Sequence, residues 1–273
     1  MAKFNLIDLH NHTVRCGHAH GAMREYAERA RALGLLEFGF SEHSPWMIMR
    51  HGQINTTREE LPDYVTDVQR LAEEFNRGGA EPFTVRLGLE ADFVPSRLDE
   101  TRATLGAYPW DYIIGSVHHL GFWCLPDSQY RYNFDHVPFS DLCDLYFEII
   151  AHMARERICD FIAHLDVIKR FGHRAPDGLL PWVEPLIPLL RRQEIAIEIN
   201  TSGFDHEIEE QYPGWDVIEA LHAGGVGLLL NSDSHAPEHV GRHFDRVVPE
   251  LLKRGITKLV RYERREPIEY SLV

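Results

Sequence analysis

Residues 6–20 read Leu-Ile-Asp-Leu-His-Asn-His-Thr-Val-Arg-Cys-Gly-His-Ala-His, and the rest of the chain is organised around this stretch. The apolar run Phe4 to Leu9 predicts a short strand. It ends in His10-Asn11-His12, and His18 stands six residues further on. In an extended chain the side chains at i and i+2 share a face, so His10 and His12 can reach one point from the end of one strand. Two converging imidazoles make half of a metal site. A lone His-x-His pair is ordinarily a surface or capping feature; here it directly follows an apolar strand, and the remaining strands decide between the two readings.

Working outward, strands and helices alternate. Met23 to Leu33 predicts a helix stopped by Gly34, and Leu36 to Ser41 a second strand closing on Glu42-His43-Ser44-Pro45. A loop, Trp46 to Arg58, suggests a lid or pocket wall. Leu61 to Arg77 keeps helical spacing and is stopped by Gly78-Gly79. Thr84 to Leu89 is a third strand, ending Glu90-Ala91-Asp92, and Arg97 to Leu105 a short helix. Tyr112 to Val117 is a fourth strand, ending His118-His119. A long aromatic loop follows, Leu120 to Pro138, then a helix N-capped by Ser140 and running to Glu156. Ile158 to Ala163 ends at His164-Leu165-Asp166. After a helix over Leu180 to Arg192, Ile195 to Ile199 ends at Asn200-Thr201-Ser202-Gly203. After another over Trp215 to Ala223, Gly227 to Leu230 ends at Asn231-Ser232-Asp233-Ser234-His235. Glu238 starts a short helix, Val247 to Arg254 gives a last one, and Lys258 to Arg261 a terminal strand. Alternation of this kind predicts parallel strands with crossover helices. Seven such units suit an α/β fold closed as a (β/α)7 barrel, possessing one domain over residues 1–273, better than an open sheet. No Gly-rich nucleotide loop follows the first strand.

Composition narrows the partners. The formal charge of −14, from 28 basic and 42 acidic residues, disfavours a long nucleic-acid footprint. A small phosphorylated substrate stays compatible, because metals can supply local positive charge. Cys16, Cys124, Cys143 and Cys159 form no Cys-x-x-Cys pair. No charged leader with an apolar core precedes the first strand, and no apolar run would span a membrane. These features predict a reduced, cytoplasmic, soluble protein. The 17 histidines are the unusual number, and their positions matter more than their count.

The predicted strand ends carry His10, His12 and His18; His43; Glu90; His118; His164; and Asp233 with His235. In a β/α barrel those ends share one face, and that face carries the chemistry. Any one of these residues alone reads as easily as a cap or a surface group; nine together do not. Nine ligands exceed the four of one tetrahedral zinc and suit two or three divalent ions, zinc, iron or manganese, with Glu90 as the natural bridging carboxylate. His51, His136, His152, His173, His222, His239 and His243 read as structural or exposed. His20, His119 and His206 read as pocket lining or supporting groups.

Asp8-x-His10-x-His12, His18, Glu42-His43, Glu90, His118, His164 and Ser232-Asp233-Ser234-His235 resemble the motifs of the polymerase and histidinol phosphatase (PHP) family, over essentially the whole chain. Cys16-Gly17-His18, Gly115 to His118, Ala163 to Asp166 and Asn200 to Gly203 resemble most the histidinol-phosphatase branch. The resemblance implies a distorted (β/α)7 barrel with a trinuclear centre. His10, His12, Glu90 and Asp233 would hold one ion, Glu90, His118 and His164 a second, and His18, His43 and His235 a third. It implies a phosphomonoesterase acting on L-histidinol phosphate, in histidine biosynthesis, through a metal-bridging hydroxide. Asp233, Glu90 and Arg170 are the expected catalytic groups. Asp8 is expected to hydrogen-bond a ligand histidine. A phosphate wants a fork of N–H donors. Arg170 is the first choice, with Lys169, Arg15 and Arg242 behind it. Members of the branch are expected to carry a basic residue just after Asn-Thr-Ser-Gly; here Phe204-Asp205-His206 follows, and His206 is the candidate substitute. The competing functions are a phosphoesterase for nucleotides or oligonucleotide ends, and a metal-binding module without catalysis.

Overall fold

Seven parallel strands in chain order form a nearly closed barrel in the computed structural model, which describes residues 4–45, 56–76 and 83–273. The strands of the barrel are β1 (Ile7–Asp8), β2 (Glu37–His43), β3 (Thr84–Asp92), β4 (Tyr112–Ser116), and, after a small hairpin of β5 (His119–Leu120) and β6 (Trp123–Cys124), β7 (Phe161–Ile162), β8 (Ala196–Asn200) and β9 (Leu228–Asn231). Crossovers are made by α1 (Met23–Ala32), α2 (Leu61–Asn76), α3 (Leu98–Leu105), α4 (Arg131–His136) with α5 (Phe139–Glu156), α6 (Leu180–Val183) with α7 (Ile187–Gln193), and α8 (Trp215–Ala223). Helix α9 (Phe244–Lys253) and an antiparallel hairpin, β10 (Lys258–Glu263) and β11 (Glu266–Ser271), complete the chain.

Alternation along the strands sorts the core into two layers. Phe38, Phe40, Leu87, Leu89, Ile113, Ile162, Ile197 and Leu230 pack outward against the helices. Ile7, Leu9, Tyr112, Ile114, Phe161, Ala196 and Leu229 fill the interior, with Tyr262 of the hairpin packed beneath them. The Tyr112 side chain lies where Cβ atoms on Gly39 and Gly88 would stand, its hydroxyl oxygen 2.1 Å from the first and its ring 2.2 Å from the second. Gly88→Ala is therefore expected to cost about 1–3 kcal/mol by overpacking, read as a lower urea midpoint with unchanged slope; an unchanged midpoint would show that Tyr112 moves freely.

The barrel closes between β1 and β9 without a regular ladder. Leu9 N donates to the Asn231 side chain (2.7 Å), His12 N to Ser234 O (2.9 Å) and Ser234 N to His10 O (3.2 Å). Asp8 accepts from Ser232 N (3.0 Å), the Ser232 hydroxyl and Gly241 N (3.1 Å). Asp8 thus fastens this seam by backbone and hydroxyl partners, the backbone of the ligand candidate His10 among them, rather than by bonding a histidine ring.

Other expectations change at their edges. The first strand shrinks because Asn5 N bonds Leu272 O, at the chain's other end. The second and third strands run on through His43 and Asp92, and the fifth is reduced to two residues. The single helix expected over 180–192 is broken by a 3-10 turn at Glu184–Leu186, where Pro185 and Pro188 remove backbone donors. Ser140 is not the cap of α5: the helix starts a residue earlier, behind Pro138, and the Ser140 hydroxyl bonds Asp141. The aromatic stretch after β4 is structured as β5, β6 and α4. The helix expected at Glu238 is one 3-10 turn, Pro237–His239. The terminal strand is the first half of a hairpin. Residues 46–55 of the expected lid, His51 and the Gly78-Gly79 stop lie outside the described residues.

Candidate metal centre

Parallel strands leave their C-terminal ends on one face, and the nine predicted ligands meet there. Glu90, fully buried at the end of β3, is the hub. One carboxylate oxygen lies 2.6 Å from His43 Nδ1, 3.5 Å from His10 Nε2 and 3.7 Å from His12 Nε2. The other lies 3.3 Å from His164 Nε2 and 3.6 Å from His118 Nε2. Asp233 stands across from it, 3.3 Å from His12 Nε2 and 3.7 Å from His10 Nε2. The His12 and His235 rings stack at 4.2 Å, and His18 and His235 at 4.6 Å. Ligand atoms of His10, His12 and Asp233, of His43, Glu90 and His118, and of His12, His43 and His235 fall into groups compact enough to hold an ion. Cys16, which the spacing argument did not use, forms a similar group with His18 and His235.

Backbone and supporting side chains aim these groups. His164 and Asp233 both adopt positive φ, 26° and 52°, a conformation that non-glycine residues keep only where surroundings enforce it. Glu198, a lone acid inside the apolar strand β8, supplies much of the enforcement. It accepts from His10 Nδ1 (2.7 Å), His164 N (2.8 Å), Asn200 Nδ2 (2.9 Å) and Asn231 Nδ2 (3.0 Å). Asp92 takes the Nδ1 proton of His118 at 2.7 Å. Glu42 accepts from Thr13 N (2.9 Å), the Thr13 hydroxyl (2.5 Å) and His43 N (2.9 Å), tying the first histidine loop to β2. Carboxylates that fix ligand imidazoles are a regular part of metal sites.

The electrostatics fit cations. Burial would push Glu90 and Asp233 up, yet the surrounding imidazoles hold both well below the carboxylate range. Burial would strip His10 and His12, yet Glu198 with Asp233 and Glu90 holds the first well up, and Asp233 with Glu42 and Glu90 raises the second to about 9. His10 Nε2, His12 Nε2 and His235 Nε2 are buried with no hydrogen-bond partner. Buried polar atoms are rarely left so, and a cluster that holds protons against burial is one that exchanges them for divalent ions.

The cleft above this cluster has a volume of ≈ 340 Å³. His18, His43, Glu90, His118, His164, Asp233 and His235 line it, together with Arg170, His206 and Arg242. His239, expected to be structural or exposed, also lines it, as do Ser202 and Tyr212. Two candidates for phosphate binding stand elsewhere. Arg15 is drawn to Asp67 of α2 (2.6 Å) and does not line the cleft. Lys169 is buried between Asp166 and Glu210, 2.7 Å from each, and lines a separate hollow. His206 reaches the cleft, but its Nε2 accepts from Arg170 Nη1 at 2.8 Å, and burial beside Arg170 lowers its pKa to about 4. It brings no positive charge at neutral pH, so it does not replace a missing base. A larger hollow of ≈ 680 Å³, lined by Arg86, Trp110 and Arg265, lies at the other end of the barrel and includes no histidine or cysteine.

A parallel barrel with a histidine–carboxylate cluster at its strand ends defines a metal-binding α/β-barrel protein of the hydrolase type. Residues 8–202 match the model of the PHP domain, and the chain belongs to that family. It is 35% identical to a protein of Deinococcus radiodurans named "Probable histidinol-phosphatase", over 96% of this chain and 99% of that one. It is 26% identical to the histidinol-phosphatase of Lactococcus lactis over 94% of each. The fold superposes on the crystal structure of histidinol phosphate phosphatase from Lactococcus lactis, complexed with zinc, L-histidinol and phosphate. The TM-score is 0.83, at 20% identity, over 97% of this chain and 100% of that one.

Proposed function

We propose that this chain, read as one catalytic domain over residues 1–273, is a metal-dependent phosphomonoesterase that hydrolyses L-histidinol phosphate to L-histidinol and phosphate. The observation that carries this is Glu90, one carboxylate meeting five histidines, with the Arg170 guanidinium on the wall of the same cleft. The relatives named for this activity align along nearly the full chain.

His10, His12 and Asp233 with one side of Glu90, and His118 and His164 with the other, would hold two ions; His18, His43 and His235 would hold a third. Zinc, iron and manganese all suit imidazole with carboxylate. When bound, such ions supply Lewis acidity and a water of lowered pKa. Glu90 and Asp233 orient that centre. Glu198 and Asp92, by taking the Nδ1 protons of His10 and His118, leave Nε2 of each ring facing inward. Arg170, half-buried beside His206, offers its remaining N–H groups to phosphoryl oxygens. A biosynthetic role in the cytoplasm accords with this reading; among the described residues no helix is long and apolar enough to cross a membrane.

The test is phosphate release from L-histidinol phosphate beside a nucleoside monophosphate and an aryl phosphate, after reconstitution with manganese, zinc or iron. A strong preference for histidinol phosphate, abolished by chelation, is expected. Release from the others alone would move the substrate. Arg170→Ala should lower kcat/KM by about a hundredfold, the worth of two charge-assisted hydrogen bonds, with metal content retained; unchanged turnover would remove Arg170 from the site.

A further inference from the structure

The wall of the cleft holds a second guanidinium whose support comes from the same short stretch that supports Arg170. Arg242, in the loop after β9, lines the cleft with a side chain 14% exposed. Its Nε donates to Ser232 O (2.9 Å) and its Nη2 to Asp233 O (2.8 Å). Its Nη1 donates to Asp205 Oδ2 at 3.0 Å. A guanidinium has five N–H donors, so these three bonds leave one on each terminal nitrogen. Thr201 also donates to the Arg242 carbonyl (2.7 Å), fixing the backbone beneath it.

Phe204-Asp205-His206 therefore contains no arginine or lysine but touches the two arginines that line the cleft. His206 meets Arg170 and Asp205 meets Arg242. Asp205 is itself anchored by His243 Nε2 (2.8 Å), and Phe204 packs under Arg246, whose guanidinium carbon is 3.8 Å from the ring centre. Two arginines from different loops, each oriented from this turn and each keeping free donors, face one cleft above a metal-ligating cluster. That arrangement matches a tetrahedral dianion, which needs donors from more than one direction.

We propose that Arg242 is the second cationic arm of the phosphate seat, with Asp205 as its positioning residue. The proposal rests on the phosphomonoesterase reading, and binding of inorganic phosphate tests it apart from turnover. Calorimetric titration of phosphate into metal-reconstituted wild type, Arg242→Lys and Asp205→Asn, with metal content measured on each sample, gives the readout. Arg242→Lys keeps the charge and loses the fork; about tenfold weaker phosphate binding at unchanged metal content is expected. Asp205→Asn should weaken binding about threefold, and the double variant should be no worse than Arg242→Lys alone, because one residue acts through the other. In turnover both losses should appear in KM more than in kcat. Wild-type affinity in Arg242→Lys overturns the proposal while leaving the phosphomonoesterase reading intact. So does loss of metal with unchanged phosphate affinity in the loaded fraction, which would make Arg242 only a brace for the Ser232–Asp233 loop. No phosphate binding by the wild type overturns both. If Arg242→Lys does not fold, Asp205→Asn decides: unchanged phosphate affinity overturns the proposal.

Discussion

Glu90→Gln is expected to yield a folded barrel that has lost bound metal and about a thousandfold in turnover, the several kcal/mol that ion-assisted stabilisation supplies. The reason is position. Each oxygen of Glu90 faces a different group of histidines: His10, His12 and His43 on one side, His118 and His164 on the other. An amide of the same shape turns one of those oxygens into an N–H donor. It cannot then serve both groups at once. Without the carboxylate, imidazoles whose ring centres lie 4.2–6.0 Å apart lose the charge that holds them together. Metal analysis of the purified variant beside its phosphate release checks this. Full metal content with near-normal turnover would show that Glu90 does not bridge.

Glu198→Ala should be the most damaging change at a residue that touches no substrate. Four buried donors lose their acceptor together: His10 Nδ1, His164 N, Asn200 Nδ2 and Asn231 Nδ2. Breaking a buried charged network by removing one member costs about 3–5 kcal/mol. Because His10 and the backbone of His164 are both released, metal affinity should also drop, by about ten- to a hundredfold. Denaturant unfolding of the metal-free protein gives the first quantity and metal titration the second. A midpoint and an affinity both equal to wild type would mean the network is idle.

Glu198 also shows what was legible from residues alone. Strand order and the ligand-bearing ends followed from apolar runs punctuated by histidine and acid, because strand ends are where a barrel exposes polar groups. Glu198 sits inside such a run, Ile195 to Asn200, and was read through as strand. A lone acid flanked by isoleucines is itself a signal, since a buried carboxylate must find partners. Asp8 stands two residues from His10 in the chain and Glu198 stands 188 away, yet it is Glu198 that reaches the His10 imidazole, and only the closing of the barrel brings it there. Arg15 and Lys169 fell short for a related reason. Their neighbours in the chain are ligands, but their neighbours in space are Asp67 in one case and Asp166 and Glu210 in the other. Arg242 went the opposite way, far from the histidine motifs of β1 to β7 in sequence yet on the wall of the cleft. The small hairpin of β5 and β6 has two residues in each strand, too few to announce itself; β11 does alternate through Ile268 and Tyr270, but the Arg264-Arg265 turn before it lacks the Asn-Gly or Asp-Gly pair that marks a hairpin.

The seam between β1 and β9 bears on the order in which the molecule assembles. Its contacts join residues 222 to 224 positions apart, Leu9 with Asn231, Asp8 with Ser232 and Asn11 with Ser234. Contacts that distant in the chain form only after the intervening loop has been closed, which is slow compared with the pairing of successive strands. His10 and His12 lie on the early side of the seam and Asp233 and His235 on the late side. During synthesis, then, His10 and His12 emerge long before Asp233 and His235, the residues they meet across the seam. The groups that join His10, His12 and His43 to Asp233 and His235 are therefore complete only once the last parallel strand has docked, so it is the finished barrel, and not a fragment of it, that brings them together.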